Sequence, residues 1–201
     1  MFRFVKKINS EKDVTINPDI LFNLDVATSD IKVHGLKLQD GADLIPLHEV
    51  LTTTFEKAPT DALLFPNGVA MRTWSNDKVY YESSDGFKEH PLADRINSVL
   101  EFGGILHMKS GAKYAICNRK IIGLGIHQDI LSPYKNISKK NIEKKFGKAS
   151  RVEETYEATD GELWNTTYFY EKRNLLIDFY EPDKQISLIN IGAFDNNTDN
   201  R

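Results

Sequence analysis

Histidine, cysteine and the carboxylates are the residues that hold metals or move protons, and here their spacing builds no recognisable centre. The five histidines stand at positions 34, 48, 90, 107 and 127. No two are three or four residues apart, the spacing that sets two imidazoles on one helical face for zinc. No metal site is expected. His34 and His127 each adjoin a glycine-interrupted apolar stretch, so a hydrolase or transferase site built from them and nearby acids is one alternative. The preferred reading of both is an exposed hydrogen-bonding residue.

The remaining motifs dissolve on inspection. "DNNTDN" at 195–200 begins like a calcium loop, but the chain stops before the glutamate such a loop needs. Gly123-Leu124-Gly125 lacks the third glycine and following helix of a dinucleotide site, and no phosphate-loop Lys-Ser/Thr pair occurs. No cofactor is expected. Cys117, the single cysteine, lies in "YAICNRKII" and reads as a small buried hydrophobe, since a reactive thiol needs an electropositive, partly open setting. In "YKNISKKNIEKKFGKASR", seven cations face Glu143 alone. With Ile142 and Phe146 turned inward, those lysines make a solvated helix face, and nucleic acid is not expected as a partner.

The aromatic strands carry more. In "LWNTTYFYE", alternation groups Trp164, Thr166, Tyr168 and Tyr170; in "LLIDFYE" it separates Leu175, Ile177 and Phe179 from Asp178 and Tyr180. If the apolar set lies on a helix, Trp164, Tyr168, Tyr170, Asp178 and Tyr180 form a more open face suited to protein recognition. The plainer reading is that these aromatics finish the core. The acidic hairpin at 153–162, with Glu153, Glu154, Glu157, Asp160 and Glu162, would present carboxylates to a basic partner.

Around these residues the chain reads as strands, turns and three short helices. A lead segment, 1–30, precedes "IKVHGLKL", which alternates like a strand broken at Gly35. "LHEVLTTTFEKAP" spaces Leu47, Val50, Leu51 and Phe55 as a helix stopped near Pro59. Short strands follow to about Ser84, then a helix over "PLADRINSVLEFGG" ended by Gly103-Gly104, then strands through "KIIGLGI". A helix capped at Asn136 or Ser138 ends at Gly147, four strands follow, and 195–201 is a frayed tail. Gly35, Leu51 and Phe55 align with Gly123, Ile142 and Phe146 at a period of about ninety residues, the length of a duplicated domain. The expected fold is therefore α+β, with two tandem strand-helix-antiparallel meander units packed together, at 31–110 and 111–194.

With 201 residues, 40% hydrophobic and 27% charged, the chain has the composition of an ordinary globular protein with a core of its own. A formal charge of −3 provides no field to draw polyanions. "MFRFVKKINSEKDV" is too soon interrupted by charge for a signal peptide, and no apolar run is long enough to span a bilayer, so a cytoplasmic location without membrane contact is expected.

The strand-loop-helix unit leading into a meander, with "KKNIEKKFGKAS" closing its helix on Phe-Gly-Lys, resembles the tandem architecture of β-lactamase inhibitor proteins and the units of outer-membrane assembly lipoproteins. It also looks like bacterial proteins encoded near polymorphic toxins. The resemblance spans Ile31 to Gly192 and departs at Glu56, which stands where the second unit has Gly147. It implies a protein-binding module rather than an enzyme: an immunity protein, monomeric or weakly dimeric, that occludes a cognate toxin or effector domain. A structural component of a larger assembly is the further alternative.

Overall fold

The computed structural model describes residues 27–54, 63–64, 70–74, 78–83, 85–127 and 137–193. The expected lead segment and tail fall almost wholly outside them. In chain order the elements are β1 (Val50–Thr54), β2 (Leu63–Leu64), β3 (Ala70–Trp74), β4 (Lys78–Ser83), β5 (Gly86–Glu89), α1 (Leu92–Phe102), β6 (Gly104–Met108), β7 (Ala112–Cys117), β8 (Lys120–His127), α2 (Lys139–Phe146), β9 (Arg151–Tyr156), β10 (Leu163–Tyr170), β11 (Leu175–Tyr180) and β12 (Gln185–Gly192). Eight strands form one sheet in the order β1-β6-β7-β8-β12-β11-β10-β9, and β2-β3-β4-β5 form a second. Every strand pair is antiparallel.

This overturns the expected α+β fold of two tandem strand-helix-antiparallel meander units. Among the described residues one large antiparallel sheet dominates, with two α-helices, and two local features explain the difference. The stretch expected to be the first helix contains only a 3-10 turn, Leu47–Glu49, before it extends as β1. Val50 and the three threonines are β-branched and stiff at χ1, so pairing with β6 wins over a helix they disfavour. Gly35, aligned with Gly123, is not in a strand either. His34 and Gly35 take φ of 51° and 80° and close a tight turn in which Val33 and Leu36 exchange hydrogen bonds. Gly123 lies inside β8, opposite Ala115 and Gly192. Shared letters thus sit in unrelated conformations.

The helices follow the expected faces. α1 buries Ile96, Val99 and Leu100 against β1, β6 and β7, and Gly103, at φ 94°, ends it. α2 has Ser138 at its N-cap and Gly147 at its C-cap, and it buries Ile142 and Phe146. Both helices join one contiguous core with Leu106, Tyr114, Leu124, Ile126, Ile177, Phe179, Ile189 and Ile191 from the large sheet. The segment before β1 covers part of the same core, where the Tyr114 hydroxyl donates to the Val33 carbonyl at 3.1 Å.

The chain crosses from β8 through α2 to the far edge, and β9 to β12 walk back until β12 pairs with β8. This return ends at Gly192, whose φ is 85°. A Cβ there would lie 2.2 Å from the Ile122 carbonyl oxygen and 2.9 Å from Leu38 Cδ2. Gly192→Ala is expected to cost about 3 kcal/mol of stability, combining left-handed strain with overpacking, read as a lower urea midpoint at unchanged slope.

Candidate functional site

β9 is an outer strand of the large sheet, and all six of its residues are exposed. β10 covers its inner side, pairing Arg151 with Phe169, Glu153 with Thr167 and Thr155 with Asn165. The register shifts between Leu163 and Asn165, so Trp164 is an additional residue in β10. Such a bulge re-aims a side chain. The Trp164 ring meets Tyr180 edge-on, with centroids 5.1 Å apart. Trp164 is 40% exposed, Val152 47% and Tyr156 56%, so this end of the sheet carries three large apolar side chains in water, Val152 and Tyr156 on the side of Tyr168 and Trp164 on the side of Tyr180. Around them the Tyr156 hydroxyl donates to Glu154 Oε2 at 2.7 Å, which holds its pKa above the ordinary value. Arg151 stacks 3.7 Å over the Phe169 ring and pairs with Glu153.

The five residues expected on one open face are divided between two. Tyr168 and Tyr170 stand opposite Ile177 and Leu175 and are buried on the core side, where the Tyr170 ring lies 6.3 Å from that of Phe146. Burial raises the pKa of both hydroxyls, as do neighbouring carboxylate charges. Asp178 and Tyr180 share the opposite face with Thr167 and Asn165, and the bulge brings Trp164 to Tyr180. Glu153 and Glu154 point to alternate sides of β9. Glu157, Asp160 and Glu162 form the tight β9–β10 connection, in which the Glu157 amide donates to the Glu162 carbonyl at 2.8 Å and the Glu162 amide to Asp160 Oδ1 at 2.9 Å. His34 sits in the turn on the core side, whereas His127, opposite Leu188, belongs to the Asp178 face. The sheet separates them.

On that face Thr167 Oγ1 donates to Asp178 Oδ1 at 2.5 Å. Burial raises the Asp178 pKa, against the opposing pull of the Thr167 bond and the Lys113 charge. Asn165 Oδ1 and Asn190 Oδ1 are shielded from water without a hydrogen-bond partner among the described residues.

A cluster that the sequence did not announce lies on the core side. Glu181 is only 6% exposed. Its Oε1 accepts from Lys139 Nζ at 2.5 Å and Thr166 Oγ1 at 2.6 Å, and its Oε2 from Lys184 Nζ at 3.2 Å. Lys139 Nζ also reaches Thr166 Oγ1 at 2.8 Å. The first residue of α2 is thereby tied to β10 and to the turn after β11. Burial pushes the Glu181 carboxyl up, but these hydrogen bonds and the lysine charge outweigh it and hold the pKa at about 2. Only contact across 42 residues makes Lys139 and Glu181 partners, so no local spacing could have paired them.

Among the described residues, no group of three or more His, Cys, Asp or Glu is placed to hold a metal ion, and no helix is long and apolar enough to cross a membrane. No protein-family model matches the chain, and no curated protein matches it. A solved structure of a DUF4309 family protein, YjgB from Bacillus subtilis subsp. subtilis str. 168, is similar at 16% identity and a TM-score of 0.29, over 45% of this chain and 64% of that one. The chain thus spans just under two thirds of that protein, and a likeness of this size assigns neither fold nor activity.

Two carboxylates predict opposite pH behaviour. Glu181 has a folded pKa below its ordinary 4.5, so its contribution is present above that pH and lost between about 4.5 and 2. Glu181→Gln should cost about 2 kcal/mol at pH 7 and less as the pH falls through that window, measured by urea unfolding. Asp178 has a folded pKa above its ordinary 3.8, so its contribution is present in acid and lost as the pH rises. Asp178→Asn should therefore raise the melting temperature at pH 7, with a smaller gain at pH 4.

Proposed function

We propose that this protein is a protein-binding module of the immunity type, which neutralises a cognate toxin or effector domain in the cytoplasm by covering its working surface one to one. The observation that carries the reading is the exposed end of the large sheet, where Val152 and Tyr156 stand in water with Glu154 on one side of β9, and Trp164 stands in water on the other side, the side of Glu153. Aromatic side chains with a polar tip give large contact area at low entropic cost, and they dominate binding energy where a partner desolvates them. The carboxylates around them speed encounter with a basic surface and disfavour acidic ones. They equally disfavour nucleic acid and anionic membranes as partners. The chain itself acts as a monomer or weak homodimer.

Tyr168 and Tyr170 are core residues, Tyr168 directly opposite Val152, while Trp164 joins Asp178 and Tyr180 on the other side of the sheet. Occlusion needs no catalytic group on the inhibitor. Combining Trp164→Ala with Tyr156→Ala is expected to weaken the complex with the toxin domain encoded beside this chain at least tenfold, about 1.4 kcal/mol, and to abolish protection of the host cell, at unchanged melting temperature. A gene neighbourhood without a toxin, or full protection by the folded double variant, sinks the reading.

A further inference from the structure

An outer strand offers a second kind of chemistry, its backbone. Along an antiparallel pair, alternate residues turn their N–H and C=O groups toward the partner strand and away from it. The Glu157 amide bonds across the hairpin to Glu162, so by alternation residues 155, 153 and 151 face β10. Val152, Glu154 and Tyr156 then direct their backbone groups outward. Among the described residues no strand pairs with this edge, and such an edge is a template for one more strand.

We propose that the edge of β9 receives an extended, basic segment of the protein partner as an added strand, which rests on the protein-binding reading above and gives its mode. Charge selects this occupant. Glu153, Glu154 and Glu157 outnumber the two cations that meet them, Arg151 paired with Glu153 and Lys139 at 3.8 Å from Glu154, so the edge keeps a net negative charge. A second copy of this chain is a poor guest, because symmetric antiparallel pairing centred on Glu154 sets Glu154 directly opposite its own copy. A strand with Lys or Arg opposite the glutamates and apolar residues opposite Val152 and Tyr156 satisfies both the charge and the exposed apolar side chains. It would leave the β9–β10 register undisturbed.

Position 152 separates backbone pairing from side-chain contact. Proline is accepted on an outer strand where its missing N–H faced water, so Val152→Pro removes the outward donor while keeping an apolar ring, and Val152→Ala keeps the donor while trimming the side chain. Phage-displayed random decapeptides are selected on the immobilised full chain, and enriched peptides are titrated against wild type and both variants. Enriched sequences are expected to place adjacent Lys or Arg residues between β-branched or aromatic ones. Val152→Pro should weaken them at least tenfold, and Val152→Ala less than threefold. Amide exchange at Val152, Glu154 and Tyr156 of the wild type should slow on binding, a readout that decides the matter even if the proline variant fails to fold.

No enrichment, acidic enriched sequences, equal loss in both variants, unchanged exchange on β9, or a stable homodimer by sedimentation that buries β9 each overturns the proposal. A toxin bound with full affinity by Val152→Pro overturns strand addition while leaving the protein-binding reading intact. Peptide capture by β9 without any toxin in the gene neighbourhood does the reverse.

Discussion

The seam between β8 and β12 is the constraint on which the rest of the molecule depends. Five residue pairs, from Leu188 with His127 to Gly192 with Gly123, join the strands built before α2 to the four built after it. Without that seam there are two small sheets, each with a raw edge. With it there is a single surface on which Leu124, Ile126, Ile189 and Ile191 lie side by side under the helices. Gly192 lets β12, β8 and Leu38 approach closely at the seam's end, where the Gln39 amide bonds to the Ile121 carbonyl and the Ala193 amide to that of Ile122.

The large sheet divides its labour by face. One side is apolar and covered, and a buried carboxylate there, Glu181, is held by two lysines and a threonine. The opposite side carries Thr167, Asp178, Asn165 and Asn190, polar groups that an apolar cover would strand. The Trp164 bulge moves an aromatic ring from the first regime to the second. Exposed apolar area and exposed charge consequently meet at the β9–β10 end.

Much of this was legible in the residues. Period-two alternation gave β10, β11 and β12, and helical spacing gave the inward faces of both helices, because each of those signals is local. The segment at 47–55 was not, since Leu47, Val50, Leu51 and Phe55 fit a helical stripe while Val50 and the threonines favour a strand, and only pairing with β6 decides. The sign of φ at Gly35 is likewise silent in a single sequence. Strict alternation assigned Trp164 to the side of Tyr168, and it failed there because one additional residue shifts the register for everything before it. No role for Glu181 was legible in the sequence, for its partner Lys139 arrives from α2.

The seam also has a kinetic meaning. β9 to β12 are joined by short turns and can pair as neighbours, whereas Ile126 and Ile189 meet only after a loop of about sixty residues has closed. The meander therefore assembles locally, and its docking onto β8 is the slow, entropically costly event. Until that moment Ile189 and Ile191 lie on an uncovered strand, so the interval before docking is when this chain is most exposed to mispairing with another copy.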